Sequence, residues 1–212
     1  MSCAICEARR PRRYCPGVRG DICTICCGTE REVTVDCPFD CVYLQEARKH
    51  EKPVEIAPPD FPNRDIRVTD EFLERNGPLA SFTSAHIVRS ASQIPGLVDS
   101  DVREALEALI KTLRTQQSGL YYESRPNNPV AASLYMMLQA GISDFRRAEQ
   151  ERLGFAHTRD TDVLGVFCFL QRLELVNHNG RRRSRAFLDL LRTQMPPEVQ
   201  VPAPPASPLI LP

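Results

Sequence analysis

Eight of the nine cysteines in this chain of 212 residues fall within its first 41: Cys3, Cys6, Cys15, Cys23, Cys26, Cys27, Cys37 and Cys41. A segment so short and so rich in thiols cannot rest on an ordinary apolar core. Bound metal or crosslinks must supply much of its folding energy. The compartment selects between the two. The chain opens Met1-Ser2-Cys3 without a basic stretch followed by an apolar one, and no run approaches the roughly 20 apolar residues that cross a bilayer. A cytoplasmic chain is the expectation, and there thiols stay reduced and clustered cysteines hold metal rather than disulfides.

The spacings suit zinc. A Cys-x-x-Cys turn delivers two of four tetrahedral ligands from one tight knuckle. Cys3-x-x-Cys6 and Cys23-x-x-Cys26 are such knuckles, and Cys37-x-x-x-Cys41 is a wider pair. Eight thiolates imply two zinc ions. The expected grouping is interleaved: Cys3 and Cys6 with two of Cys23, Cys26 and Cys27, and Cys15 with the third and with Cys37 and Cys41. The spacing leaves the assignment of Cys26 and Cys27 open. It lacks the closely repeated cysteine triplet of ferredoxins. Eight thiolates also close both coordination spheres, where a catalytic zinc keeps a position free. Glu32-Val33-Thr34-Val35-Asp36 alternates and is β-branched, which predicts one strand of a hairpin, and residues 42–48 can form a short helix.

The interleaved order Cys3-x-x-Cys6, Tyr14-Cys15-Pro16, Cys23-x-x-Cys26-Cys27, Cys37 and Cys41 resembles the cross-brace zinc modules, notably the HIT-type and B-box-type fingers. It differs from them in having no histidine ligand and an adjacent cysteine pair. The resemblance implies a structural zinc module used for protein contacts. The stretch around Cys26-Cys27-Gly28 and Cys37-Pro38-Phe39-Asp40-Cys41 also looks like that of uncharacterised bacterial proteins.

Beyond the cysteines the composition excludes little. Basic and acidic residues both number 27, so net charge singles out neither nucleic acid nor an anionic surface as partner, and the absence of tryptophan disfavours a base-stacking platform. Arg9, Arg10, Arg12, Arg13 and Arg19 lie among the ligands. Residues 1–52 hold nine basic and eight acidic side chains, and eight thiolates around two divalent ions bring the module to about −3. Those arginines are therefore expected to balance the thiolates and hydrogen-bond their sulfurs.

Four zones follow: a cysteine module over 1–48, a proline-rich linker over 49–66, an all-α domain over 67–195 and a proline-rich tail over 196–212, expected to lack regular structure. Within the all-α domain the expected helices are a short one from Thr69 to Arg75, broken by Asn76-Gly77-Pro78, and one from about Leu79 to Ser92. The clearest begins at the N-cap candidates Asp99 to Asp101, where Asp101 with Glu104 imitates a capping box, and carries the stripe Val102, Ala105, Leu106, Leu109, Ile110 and Leu113. Later helices start at Asn127 or Asn128, ending near Gly154; run from Thr161 to Val176; and run from Arg185 to Met195. The fold class is thus a small two-zinc cysteine-rich module followed by an all-α helical bundle.

No phosphate-binding loop, nucleophile elbow or paired-carboxylate arrangement is present. His50, His86, His157 and His178 stand apart, and Cys168 lies in an apolar run. Arg181, Arg182, Arg183 and Arg185 form the one compact basic patch outside the module. They stand where the macrodipole opposes them, which makes them candidate contacts for an anion or nucleic acid. The leading expectation is a non-catalytic zinc-binding adaptor with a protein partner. The alternative is a nucleic-acid-binding regulator that uses the arginine clusters.

Overall fold

The structure, a computed structural model, describes residues 2–52, 54–57, 60–120 and 122–195. The tail over 196–212 and Pro53, Pro58 and Pro59 of the linker lie outside the described residues. In chain order the elements are β1 (Arg13–Cys15), β2 (Gly20–Ile22), α1 (Thr24–Glu30), α2 (Val42–Arg48), α3 (Asp70–Gln93), α4 (Asp99–Gln117), α5 (Pro129–Leu153), α6 (Asp160–Asn177) and α7 (Ala186–Thr193). Among the described residues the chain is mostly helical with one antiparallel hairpin, β1–β2. No helix among the described residues is long and apolar enough to cross a membrane.

The stripe Val102, Ala105, Leu106, Leu109 and Ile110 is buried on α4, and Leu113 packs at its edge. It faces α5 and α6, while α3 lies across α5, α6 and α7. Helix α6 carries buried side chains around most of its circumference, including the consecutive Val166, Phe167 and Cys168, and so forms the centre of the bundle. Gly165 admits α3 there: a Cβ at this position would stand 2.3 Å from the Phe72 ring. Asn128 caps α5 by accepting from the Val130 amide at 2.9 Å, Pro129 occupies the first turn, and Gly154 ends the helix in the left-handed region at φ 83°.

Two local expectations fail for physical reasons. The breaker Asn76-Gly77-Pro78 does not end a helix; α3 runs through it. Pro78 forfeits one backbone hydrogen bond, but the buried Asn76 amide donates to the Phe72 carbonyl at 3.0 Å. Leu79, Thr83 and Ile87 then bury one continuous face with Phe72. Tertiary packing overrides local propensity here. The stretch 32–36 is not a strand either. The amides of Val33, Thr34 and Val35 all turn back to the Glu30 carbonyl, at 3.1 to 3.2 Å, and the hairpin forms earlier, over 13–22.

The start of α4 is also wired differently from the expected Asp101–Glu104 box. Asp101 accepts from the Val98 amide at 3.0 Å, and Glu104 reaches the amides of Asn127 and Asn128 ahead of α5. Asp99 turns away to α7. Its buried carboxylate accepts from the Ser184 hydroxyl at 2.6 Å and from the amides of Phe187 and Leu188 at 3.1 and 3.2 Å. One side chain at the start of α4 therefore satisfies the open amides of another helix. Burial pushes its pKa up to about 6 from 3.8, against the pull of those three donors. The folded chain thus binds a proton that the unfolded chain releases, so this group's contribution to stability is present at low pH and is lost as pH rises through that window. Carboxyl ¹³C NMR should place the Asp99 midpoint near 6; a midpoint at or below 3.8 contradicts this environment.

The described part of the linker lies along α6. Arg172 donates to the carbonyls of Pro62, Asn63 and Ile66, and Asn63 donates to Gln171 at 2.9 Å. Arg103 clamps the fully buried Glu174 with two hydrogen bonds, at 2.7 and 2.8 Å, joining α4 to α6.

Candidate metal centre

The first knuckle is shaped by its backbone. The Cys3 carbonyl accepts from the Glu7 amide at 2.8 Å, and the Cys3 amide donates to the Arg9 carbonyl at 2.9 Å. Glu7 sits at φ 53°, closing a turn that throws Cys3 and Cys6 to one side. The hairpin is stitched beside it by Ala4 N–H to the Asp21 carbonyl and Arg12 N–H to the Ile22 carbonyl. At the end of β2 the chain enters α1 with Cys23 as N-cap, and Cys26 follows within the first turn.

These two knuckles converge. The sulfurs of Cys3, Cys6, Cys23 and Cys26 all lie within 4.8 Å of one another. A tetrahedral zinc with bonds of about 2.3 Å requires sulfurs about 3.8 Å apart, so the group is of the right size. Among the described residues it is the one group of three or more Cys, His, Asp or Glu side chains close enough to share an ion. Cys3, Cys23 and Cys26 are buried and Cys6 is half-buried. Backbone amides already point at the sulfurs, Cys23 N–H to Cys3 at 3.2 Å and Cys26 N–H to Cys23 at 3.4 Å.

The thiols are electrostatically unequal. Burial raises the pKa of Cys3, but the amides of Cys6, Cys23 and Ile5 outweigh it and hold the thiol down at about 6. The amides of Ala8 and Arg9 lower Cys6. Cys26 is pushed up to about 12 by burial and by the neighbouring thiols. Four thiolates cannot share so small a space without a cation among them, and a divalent metal is the natural one. Arg9 lies beside Cys23, whose thiol raises the guanidinium's pKa.

The other four cysteines are gathered less tightly. Cys15 and Cys37 are buried in the same small cluster as the quartet, and Cys27 and Cys41 pack against it. Burial pushes Cys37 up to about 11; the Glu32 amide faces its sulfur, and Cys15 and Cys41 are its electrostatic neighbours. Arg13 and Arg31 direct guanidinium groups at the Cys27 sulfur, at 3.5 and 3.8 Å. Of the five arginines expected beside the sulfurs, Arg9 and Arg13 lie there, and Arg31, outside that expectation, joins them. Cys168, sealed in the bundle, has its pKa raised to about 11 by burial. His86 binds the Met137 carbonyl and His178 accepts from the Gly180 amide, both away from the thiols.

The basic patch lies against the module. Arg181 donates to the carbonyls of Gly28 and Arg31 at 3.2 and 2.6 Å. The guanidinium groups of Arg183 and Arg185 lie 3.7 and 3.1 Å from Asp36; Arg182 is exposed and the Arg183 side chain is 41% exposed. The hub of this contact is Glu32, which is 1% exposed and which the sequence reading passed over. Its carboxylate accepts from Arg48 at 2.9 Å, from the Arg185 amide at 3.0 Å and from Asn179 at 2.8 Å, and its carbonyl accepts from the Arg183 amide. Arg48 bridges onward to Asp189 on α7. Phe39, between Cys37 and Cys41, packs on the bundle core beneath Arg185 and Arg192. One signal for this docking was present in the sequence: a module counted at about −3 and an arginine cluster whose position no local effect explained. Comparison with protein-family models, with curated proteins and with solved structures returned no match to this chain.

Proposed function

We propose that the protein is a non-catalytic, zinc-dependent interaction protein whose cysteine module holds two structural ions. The observation that carries this reading is the convergence of the Cys3, Cys6, Cys23 and Cys26 sulfurs. Assigning Cys26 to that quartet leaves Cys27 for the second ion, with Cys15, Cys37 and Cys41. The first two knuckles then share one ion, and Cys15, Cys27, Cys37 and Cys41 share the other, so the two sets interleave along the chain. The common cluster and the surroundings of Cys37 support this second set. Four thiolates per ion leave no open position for substrate, so the ions hold structure rather than perform chemistry.

The interaction role is supported by apolar side chains that the module leaves in solvent, Tyr14, Ile25 and Val42. A protein partner in the reducing cytoplasm suits both these residues and cysteines that bind metal rather than form disulfides. The arginine cluster serves the chain's own module, which weakens the nucleic-acid reading. Native mass spectrometry of the chain purified under reducing conditions should give two zinc ions per chain and a protein companion. No bound metal overturns the metal reading; co-purified nucleic acid overturns the adaptor reading in favour of a regulator.

A further inference from the structure

We infer that the cysteine module is a metal-gated cover over the arginine segment 179–185. The module groups that hydrogen-bond or ion-pair with this segment lie between Cys27 and Cys37: the carbonyls of Gly28, Arg31 and Glu32 and the carboxylates of Glu32 and Asp36; Phe39, just past Cys37, packs beneath Arg185. Both ends of that stretch are cysteines of the second set, and α1, which leads into it, begins on two cysteines of the first. The link is direct at Glu32. Its amide faces the Cys37 sulfur, while its carbonyl and carboxylate take the amides of Arg183 and Arg185 and the side chain of Asn179.

Phe39 on the bundle core and Arg48, paired with both Glu32 and Asp189, also hold the module to the bundle, but the module's own core is small. Apart from cysteines, the module's buried apolar side chains are Ile22, Val35 and Leu44, too few to order it without metal. Glu32 itself sits at φ 51°, a conformation its own backbone disfavours. The bundle has a separate and much larger core. Loss of metal therefore disorders residues 28–36 first and leaves α4 and α6 folded. Arg181 then joins Arg182 and the half-exposed Arg183 in solvent, presenting three successive guanidinium groups, while Arg185 loses Asp36 and keeps its hydrogen bond to the Leu97 carbonyl. Metal occupancy thus sets whether this cationic strip is covered or displayed. The inference rests on the metal reading above.

The experiment uses the full chain under reducing conditions, first with its metal counted, then after stripping with a high-affinity chelator, then after Zn²⁺ is returned. Hydrogen exchange and arginine-selective labelling with phenylglyoxal are the readouts. Stripping should speed exchange of the Arg183 and Arg185 amides at least about tenfold and raise labelling of Arg181, while amides of α4 keep their protection. Returning Zn²⁺ should reverse both changes. Unchanged protection and labelling after verified metal loss overturn the inference and leave the metal reading standing; a chain that never carried metal sinks both. A second variant separates the cover from the ion. Glu32→Gln should keep the full metal count yet raise labelling of Arg181 and exchange at 183 and 185. If it retains metal and wild-type protection, Glu32 is not the link and the inference fails.

Discussion

Replacing Cys23 and Cys26 with serine is expected to release the ion from the first quartet and unfold the module over residues 2–48, while α3 to α7 stay helical. Both residues are buried, and both sit at the start of α1, where their sulfurs meet those of Cys3 and Cys6. Structural zinc contributes on the order of 10–16 kcal/mol to a small module, and with so few apolar side chains buried there nothing else matches that figure. The bundle keeps its own core and should retain its far-ultraviolet helical signal. Metal content and hydrogen exchange of residues 2–48 are the measurements. Retained metal, or a module that stays protected without it, contradicts the assignment. The paired change Cys37→Ser with Cys41→Ser counts the ions: one should be lost if the second set binds, and none if the quartet is the sole site.

Glu32→Ala is expected to destabilise the chain by about 3–5 kcal/mol, as removal of one partner from a buried ion pair does. The substitution strips a carboxylate from Arg48, Asn179 and the Arg185 amide together. Arg48 is 13% exposed and keeps only Asp189 as its carboxylate. Urea unfolding followed by circular dichroism measures the loss. A change below about 1 kcal/mol, the range of an exposed pair, means that Glu32 is not the hub of the contact between module and bundle.

Much of the bundle was legible because its signals are local and periodic. The α4 stripe, the Asn128 cap and the Gly154 stop depend on residues three or four apart, and these stand where the pattern put them. What was illegible depends on partners far along the chain. Pro78 reads as a breaker until α3 is seen seated on three other helices. Asp99 reads as a cap for its own helix, yet its carboxylate serves Phe187 and Leu188. Residues 32–36 alternate like a strand, but burial of Glu32 against arginines about 150 positions later turns them back on themselves. In the candidate site, knuckle spacing named the thiols. It could not decide between Cys26 and Cys27, because adjacent residues in a helical turn differ only in direction, and direction requires the fold. The arginines at 181–185 posed the same difficulty. Their charge was evident, and whether it faced a partner or this chain's own carbonyls was not.

The most direct test of the account is X-ray absorption at the zinc edge on the full chain purified under reducing conditions. The account predicts a first shell of four sulfurs at about 2.3 Å with no nitrogen or oxygen. A shell containing nitrogen or oxygen, fewer than four sulfurs, or no bound zinc would contradict it.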